Sequence, residues 1–299
     1  MTVQPVSLFI NPTAGRGRAG RRLSRIQEIF VESGIEIDLH ASRAMGDLEE
    51  LVHAEVCAGA DRIIVAGGDG SIHEAVNGIM RAEPTARLGI IPTGTGNDFA
   101  KACAIPLDWE HATRLLAKRL SANAISRRID IGRMNDRYFA NGAGIGFDAK
   151  VTRVAQSYQW PIGDLVYLYA IFRCMADGIA TPDMTLVTDH LQWSGPVTLV
   201  SISNGPWVGG MFHIAPMADN SDGQLELIIA DPVSRLRITS LLPKLMRGKH
   251  MSEHEITHTS VRRVRIEASA AVPSHLDGEV QPLATSFDID VLAAALDLL

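Results

Sequence analysis

Two glycine-rich segments, each carrying one aspartate, have the residue types and spacing that suit phosphate chemistry. The first is GGDGS at 67–71 and the second is GTGNDF at 94–99. Glycines let the backbone N–H groups of a turn approach a ligand closely, and such N–H groups favour an anion, most commonly a phosphate. An acid beside a phosphate cradle implies a cation, so Asp69 and Asp98 predict bound Mg²⁺.

The elements that must position these segments are short strands. Apolar runs precede both of them, RIIVA at 62–66 and LGIIP at 88–92. Runs of this length bounded by glycine are typical of buried parallel strands. Ile72, Val76 and Ile79 follow the first segment at helical spacing, so the expected order is strand, loop and helix.

The N-terminal third alternates strand and helix patterns throughout. This alternation predicts an α/β domain with a parallel, Rossmann-like sheet and helices on both faces. We assign residues 1–128 to this domain. Besides the two strand–loop units, strands are predicted at 6–10 and 35–39, and helices at 23–31, 48–56 and 115–124.

Short β-rich runs separated by turn signals follow residue 128, and they indicate an antiparallel β-sandwich domain. We assign residues 129–286 to it. Strands are predicted at 138–141, 185–188, 197–202, 225–229 and 261–266, and helices at 165–175 and 234–246.

Composition excludes some classes of protein. The chain has 299 residues, 46% of them hydrophobic, which is enough for two domains. A net charge of -6 argues against a nucleic-acid partner, which would require a strong basic excess. Three scattered cysteines without metal spacing, no signal-peptide pattern and no apolar stretch of ~18 residues predict a cytoplasmic protein.

Residues 15–20, GRGRAG, match the dinucleotide fingerprint, and Asp38 ends the next predicted strand as a ribose-binding acid would. The arginines in this segment and the delayed turn at Asn11 favour a phosphate-facing loop instead, with Asn11 and Gly15 nearest the ligand. An NAD(P)-binding oxidoreductase stays as an alternative from another class. A Walker-type loop is excluded, because arginines at 21–22 replace its lysine and hydroxyl residue.

A zinc-protease motif, HEITH, occurs at 254–258. Its chemistry requires both histidines on one face of a helix, with the glutamate as base. Ile256, Thr257 and Val261 favour a strand instead, so we interpret His254 and His258 as strand or loop residues.

Three further acidic sites are candidates. Asp219 and Asp222 lie in a turn that is equally suited to a cation or to no ligand. Asp277, in HLDGE at 275–279, suits an ordinary hairpin on sequence alone. Asp130 lies between apolar neighbours where the two predicted domains meet, a position typical of ligand sites.

Five motifs together resemble the catalytic domain of the diacylglycerol kinase family, specifically its soluble bacterial lipid kinases. They lie in the family's order at 11–15, 67–74, 94–100, 141–149 and 276–279. The resemblance runs from Val3 to Glu279. It implies a nucleotide-binding α/β domain of the NAD kinase/diacylglycerol kinase type, a β-rich lipid-substrate domain, and a last strand at 287–299 that returns to the first domain.

The resemblance implies a kinase that uses ATP and Mg²⁺ to phosphorylate a lipid hydroxyl. Asp277 would be the general base, with Glu279 assisting. Asp69, Asp98 and Asp130 would hold the Mg²⁺-nucleotide end, and Asp219, Asp222 and Gln224 a second, structural Mg²⁺, the first and last through carbonyl oxygens. The implied nucleotide-binding residues are Asn11, Gly15, Ser42, Gly67, Gly68, Asp69, Gly70, Ser71, Glu74, Gly94, Thr95, Gly96 and Asn97.

Two departures from the family pattern occur. Ser71 replaces the commoner Thr and keeps the hydroxyl, and Gln224 stands where an apolar residue is frequent. Within the same chemistry, a sphingoid or ceramide kinase and NAD kinase stay as alternatives. A non-enzymatic lipid-binding protein is a further class, disfavoured because every acid that the chemistry needs is present.

A lipid substrate requires peripheral contact with a membrane. The most apolar stretch is 160–172, which we interpret as ordinary core. Arg235, Arg237, Lys244, Arg247 and Lys249 form a basic cluster that suits either anionic-membrane docking or a solvated helix face. A homodimer is an expectation by analogy only.

Overall fold

The computed structural model describes residues 5–82, 86–158 and 165–299. The chain divides into two compact units. Unit 1 comprises Met1–Asp130 and Ala294–Leu299, and unit 2 comprises Ile131–Ala293.

Unit 1 is built on a parallel sheet. Strand β1 lies between β2 and β3, and β3 lies between β1 and β4, with every pair parallel. All five residues of β1 are buried, as expected for a strand covered by helices on both faces. The strands are β1 (Val6–Ile10), β2 (Ile37–Ala41), β3 (Arg62–Gly67) and β4 (Arg87–Pro92).

Helices connect these strands and provide much of the core. Ile26 and Phe30 of the first helix and Leu116 of the fifth are buried in one cluster with Leu8 of β1. The parallel α/β architecture predicted from the alternating pattern is thereby confirmed. The helices are α1 (Ala14–Glu32), α2 (Asp47–Cys57), α3 (Asp69–Arg81), α4 (Asp98–Ala102) and α5 (Trp109–Ser121).

Two helix predictions were wrong at their ends. Helix α1 begins at Ala14 rather than at residue 23. Its first turns are irregular, since Gly15 and Gly17 adopt left-handed φ of 57° and 76°, and they carry no apolar periodicity that could predict a helix. Helix α5 begins at Trp109 rather than at 115. Asp108 caps this start, because its carboxylate accepts a hydrogen bond from the backbone N–H of His111 at 2.7 Å. The early start of α1 places the GRGRAG glycines inside a helix, not in the turn that a dinucleotide fingerprint requires.

Unit 2 contains an antiparallel sheet of the order β12-β11-β10-β7-β13-β14. Strand β13 also pairs with β8 over its first residues, and β8 pairs with β9. The strands are β5 (Arg127–Met134, which begins in unit 1), β6 (Arg137–Phe139), β7 (Gly142–Gly146), β8 (Asp183–Thr188), β9 (Gln192–Pro196), β10 (Leu199–Ser203), β11 (Leu225–Ala230), β12 (Ile256–Val261), β13 (Arg263–Leu276) and β14 (Glu279–Leu298).

The predicted antiparallel, sandwich-like second domain is confirmed, with a core that includes Leu186, Ile202, Leu227 and Ile266. Three helices form a separate apolar cluster beside it. They are α6 (Phe147–Gln156), α7 (Leu165–Asp177) and α8 (Arg235–Met246).

The predicted strand at 261–266 is two strands in the structure. The chain passes from β12 to β13 at Arg262, because β12 pairs with β11 whereas β13 pairs with β8 and β14. Strand β14 is 20 residues long. Its residues up to Asp290 pair with β13, and Asp297 and Leu298 pair in parallel with β4 in unit 1.

Candidate functional site

The candidate nucleotide residues of unit 1 follow the carboxyl ends of adjacent parallel strands. β1 is the point where the strand order reverses, since β2 lies on one side of it and β3 on the other. Ligands of open α/β sheets bind at the carboxyl ends of the strands at such a reversal. Asn11 follows β1, Gly68 follows β3 and Gly94 comes shortly after β4. Ser42, whose backbone N–H donates to the Ile10 carbonyl at 2.9 Å, lies at the same edge.

The two glycine loops touch through their backbones. A Cβ placed on Gly94 would lie 2.5 Å from the Gly68 Cα, and one on Gly68 would lie 2.9 Å from the Gly94 Cα. Both distances are shorter than 3.0 Å, and real Cβ atoms essentially never lie this close to another non-bonded heavy atom. Glycine is therefore required at both positions for the loops to pack this closely. A Cβ on Gly67 would likewise overlap the Ser71 side chain.

Side-chain hydrogen bonds fix the second loop. The Asn97 Oδ1 accepts the Gly94 N–H at 3.0 Å, and Asn97 adopts a left-handed φ of 51° at the start of α4. The Asp69 Oδ1 accepts the Phe99 N–H at 3.1 Å, so the first glycine loop holds the start of α4. The predicted residues of both loops thus form one connected structure.

Arg18 contributes to this structure although the sequence did not single it out. Its guanidinium donates to the Gly15 carbonyl at 2.9 Å, to the Gly94 carbonyl at 3.1 Å and to the Thr95 Oγ1 at 3.0 Å. It brings a positive charge to the second loop, as an anion site requires. The sequence signal was the group of arginines at 16–22, which favoured a phosphate-facing loop without distinguishing Arg18 from its neighbours.

The other predicted nucleotide residues have local roles. The Asn11 Oδ1 accepts both the N–H and the hydroxyl of Thr13, at 3.0 and 2.7 Å. The Glu74 Oε2 accepts the Leu48 N–H at 3.0 Å, which places a negative charge at the N-terminus of α2. Gly70 lies in the first turn of α3, whereas Thr95 is exposed and Gly96 half-buried in the second loop.

Two predicted magnesium ligands are buried and already bonded to protein groups. Asp98 accepts the Lys101 ammonium at 3.0 Å, and Asp130 accepts the Ala294 N–H at 2.7 Å with 2% exposure. Among the described residues, Asp38, His40 and Glu55 form a cluster whose potential metal-ligand atoms all lie within 4.8 Å of one another. Asp69, Asp98 and Asp130 form no such cluster there. Mg²⁺ needs only one or two carboxylates when substrate phosphates complete its shell.

In unit 2, a tight turn between β13 and β14 positions Asp277. Its two carboxylate oxygens accept three backbone N–H groups, from Ala140 at 2.9 Å, Asn141 at 2.8 Å and Gly142 at 2.9 Å. Its own N–H donates to the Gly142 carbonyl at 2.8 Å, and its φ is 50°. A non-glycine residue in this left-handed region stores strain, which is typical of functional positions.

The neighbours of Asp277 hold the turn. Glu279 is half-buried and pairs with Leu276 across it. Gln156 of α6 donates to the Gly278 carbonyl at 2.7 Å. His275 is 3% exposed, and its Nδ1 accepts the Gly278 N–H at 3.3 Å. The turn is therefore more than the ordinary hairpin that the residues alone suggested.

An apolar cleft in unit 2 opens beside this turn. It encloses about 1050 Å³, part of which is open to solvent, and residues of α6, α7 and α8 line it together with residues of strands and loops. Its lining includes Phe147, Val151, Ile171, Leu242 and, from the turn, His275. No sequence motif predicted this cleft.

The predicted structural-cation loop forms a pair of side-chain turns. The Asp219 Oδ1 accepts the Ser221 N–H at 3.0 Å, and the Asp222 Oδ1 accepts the Gln224 N–H at 2.9 Å. Both aspartates are exposed. These bonds shape the loop whether or not a cation binds.

The last three residues of the HEITH segment lie on a strand, as its β-branched residues predicted, and His254 and Glu255 lie in the turn before it. Residues 256–261 form β12, and His258 pairs with Glu226 across to β11. The hydrogen bond from Arg237 lowers the pKa of Glu255 to about 2. A carboxylate bound in this way does not act as the base of a zinc site.

The two candidate membrane segments have different outcomes. Residues 159–164 lie outside the described residues, and the rest of the apolar stretch forms the start of α7. In this part of α7, Ile171 is buried, whereas Leu165 and Phe172 are about half exposed. In the basic cluster, Arg237 pairs with Glu253 and Glu255, and Lys244 pairs with Glu253. No described helix is long and apolar enough to cross a membrane.

Comparison with known proteins agrees with this architecture. Residues 5–134 match the family model of the diacylglycerol kinase catalytic domain, and residues 142–299 match that of the YegS C-terminal NAD kinase beta sandwich-like domain. A diacylglycerol kinase of Bacillus subtilis (strain 168) is 31% identical over 273 residues, which cover 91% of this chain and 88% of the relative. A diacylglycerol kinase of Mycobacterium tuberculosis (strain ATCC 25618 / H37Rv) is 28% identical, covering 98% of this chain and 94% of the relative.

Solved structures show the same fold. The crystal structure of a diacylglycerol kinase from Bacillus anthracis str. Sterne has a TM-score of 0.74 at 22% identity, covering 100% of this chain and 97% of the other. Fold and sequence together define a lipid kinase of the diacylglycerol kinase type. The chain belongs to the diacylglycerol kinase catalytic-domain family, and the resemblance seen in its five motifs is confirmed.

Proposed function

We propose that this protein transfers the γ-phosphoryl group of ATP to a hydroxyl of diacylglycerol or a related lipid alcohol, giving a phosphatidic-acid-type product. The observation that carries the proposal is the apolar cleft of unit 2, whose lining includes His275 of the Asp277 turn. A lipid whose apolar chain fills the cleft has its polar end beside a carboxylate. The curated relatives named diacylglycerol kinase support the same substrate class.

Unit 1 binds the nucleotide in this proposal. Its two glycine loops approach each other more closely than any side chain permits, and Arg18 adds positive charge to the second loop. Phosphate groups are recognised by such backbone N–H groups and cations, which also stabilise charge as it develops during transfer. Thr95, exposed on the second loop, contacts ATP.

Asp277 acts as the general base. A primary hydroxyl is a poor nucleophile at neutral pH, so a carboxylate placed to accept its proton assists the attack. The three backbone N–H groups fix the orientation of the Asp277 carboxylate before substrate binds. Such preorganisation removes the need to reorient the base during the reaction. Glu279, across the turn, assists.

The residues of unit 1 fit a Mg²⁺-nucleotide, because the two glycine loops are in backbone contact and the Asp69 carboxylate lies between them, where its Oδ1 accepts the Phe99 N–H. Asp69, Asp98 and Asp130 would hold the ion, which when bound neutralises charge on the phosphate oxygens. Asp219, Asp222 and Gln224 would hold a second, structural Mg²⁺.

Lipid reaches the cleft from a membrane surface in this account. Leu236 on α8 is 85% exposed, and Phe172 and Leu165 on α7 are 47% and 53% exposed. Arg235 on the same helix as Leu236 provides a neighbouring positive charge. Exposed apolar side chains next to basic ones suit peripheral binding to anionic lipid.

The proposal is tested by transfer of ³²P from γ-labelled ATP, with and without Mg²⁺, to diacylglycerol, monoacylglycerol, phosphatidylglycerol, ceramide and sphingosine in mixed micelles, with NAD as a further acceptor. We expect a labelled lipid, only with Mg²⁺. Label in NAD alone, or in no acceptor, contradicts the proposal.

A cleft-filling variant localises the lipid. Leu242 lines the cleft and is 7% exposed. Leu242→Trp should lower kcat/KM for the lipid at least about tenfold by occupying space that an acyl chain needs. Leu283→Trp is the control, because Leu283 is 55% exposed and not part of the cleft lining. Equal kcat/KM in both variants would place the lipid elsewhere.

A further inference from the structure

Three side chains that can ligate a metal converge beside the edge strand of unit 1. Asp38 and His40 are two residues apart on β2 and therefore lie on the same face of the strand, and Glu55 lies on α2. The Asp38 Oδ2 lies 3.3 Å from the His40 Nε2, and the Glu55 Oε1 lies 3.8 Å from the same nitrogen. We call these three residues the β2–α2 cluster. None of them belongs to the glycine loops or to the Asp277 turn.

The His40 ring presents a buried nitrogen to the two carboxylates. Its Nε2 has no hydrogen-bond partner among the described residues, although both carboxylates lie close to it. The ring stacks on Phe9 with a centroid distance of 4.8 Å and an interplanar angle of 16°, which fixes its orientation. Buried polar atoms are almost always bonded, so an exception between two carboxylates indicates a cation as the partner.

The negative charge of the β2–α2 cluster is not compensated by a basic side chain. Neither Asp38 nor Glu55 pairs with a lysine or an arginine in the described parts of the chain. Two carboxylates beside a neutral imidazole carry two negative charges, which a divalent cation neutralises. The Asp38 and Glu55 side chains are 57% and 31% exposed, so they can turn to admit an ion from solvent and then bind it.

The distances in the cluster suit a tetrahedral ion. Zn–N and Zn–O bonds of about 2.0–2.2 Å place neighbouring ligand atoms about 3.3–3.6 Å apart. The separation between His40 and Asp38 has this value, and the separation between His40 and Glu55 is slightly longer. An imidazole ligand favours a transition metal over Mg²⁺, which prefers oxygen ligands. Three protein ligands leave one position for water.

We propose that Asp38, His40 and Glu55 bind one transition-metal ion of the Zn²⁺ type, which ties β2 to α2. Strand β2 is at the edge of the parallel sheet and pairs with β1 alone among the described strands. An ion that joins two residues of β2 to α2 gives this edge a second attachment. The ion has a structural role, so the inference goes beyond the proposed phosphoryl transfer and does not depend on it.

Co²⁺ tests the site directly, because it takes the same ligands as Zn²⁺ and its tetrahedral complexes absorb visible light. The full chain, freed of metal with a chelator, is titrated with Co²⁺ in excess Mg²⁺, which occupies sites made of oxygen ligands alone. We expect one equivalent of Co²⁺ to give visible absorption and Zn²⁺ to remove it. Absence of this absorption overturns the proposal.

Variants assign the ion to the cluster. His40→Gln and Glu55→Gln should each weaken Co²⁺ binding at least about tenfold, since changes outside the ligand shell alone cost about 10–100-fold. His254→Gln is the matched control and should keep the wild-type affinity. The His254 Nε2 lies 3.2 Å from the Glu255 Oε1, but its side chain is 83% exposed and that carboxylate is paired with Arg237. Unchanged affinity in both cluster variants, or an equal loss in the control, overturns the assignment.

Urea unfolding tests the structural role. An ion that binds the folded site stabilises the folded chain by mass action, so Zn²⁺ should raise the urea midpoint of the wild type. The same Zn²⁺ concentration should leave the midpoint of His40→Gln unchanged. Each protein is compared with itself without metal, so a folding defect in the variant does not hide the result. An equal rise in both proteins overturns the proposal.

Discussion

The contact between the two glycine loops predicts the effect of a single methyl group. In Gly94→Ala the new Cβ would start 2.5 Å from the Gly68 Cα and 2.7 Å from the Asn97 Oδ1, whereas ordinary contact begins at 3.4 Å. The loops must then separate by about 0.9 Å (3.4 − 2.5). Displacements near 1 Å in a positioned site cost up to about 10²-fold in rate, and overpacking of this kind costs about 1–3 kcal/mol of stability.

We therefore expect Gly94→Ala to lower kcat/KM for ATP about 10- to 100-fold. Its effect on folding is measured separately by urea unfolding. Gly34→Ala is the matched control, because Gly34 has φ 70° and nothing within 4 Å of its Cβ position. That change costs about 1–2 kcal/mol through backbone strain but leaves the loops in place. The reasoning is refuted if Gly94→Ala keeps kcat/KM for ATP within twofold of the wild type, or if Gly34→Ala lowers it as much.

Two further predictions concern stability. Glu74→Ala should lower the free energy of unfolding by about 1.5 kcal/mol, because the N-terminus of α2 loses a charged acceptor for the Leu48 N–H; unchanged urea unfolding would contradict this. Burial lowers the pKa of His250 from 6.5, so the folded chain favours the neutral ring and resists protonation. The unfolded chain then binds the proton first, and stability present above about pH 6.5 is lost as the pH falls below it. His250→Gln should flatten this part of the urea-unfolding profile, and an unchanged profile would contradict the assignment.

The sequence predicted the secondary-structure elements whose conformation depends on residues that are neighbours in the chain. The apolar runs before residues 67 and 94 predicted β3 and β4, because a strand buried on both faces has no polar positions. The β-branched residues of HEITH predicted a strand because branched side chains pack well on the pleated surface of a sheet. The start of α1 was missed, since Gly15 and Gly17 are poor helix formers and carry no apolar pattern.

Long-range contacts explain what the sequence could not supply. The Asn141 N–H reaches Asp277 across 136 positions of chain, through the pairing of β7 with β13, and no local pattern encodes that register. The roles of Arg18 and Glu74 likewise depend on which loop or helix packs nearby. The cleft likewise exists only once α6, α7 and α8 are assembled.

Rapid-mixing measurement of ³²P transfer from γ-labelled ATP to the acceptor lipid by the Asp277→Asn variant tests the central claim most directly. The variant removes the carboxylate that accepts the hydroxyl proton, and general-base catalysis contributes about 10²–10⁴-fold. ATP binding and thermal unfolding, measured in parallel, report whether the glycine loops and the fold persist. We predict transfer slowed at least about 10²-fold with ATP still bound. Transfer at more than a tenth of the wild-type rate would show that Asp277 is not the base.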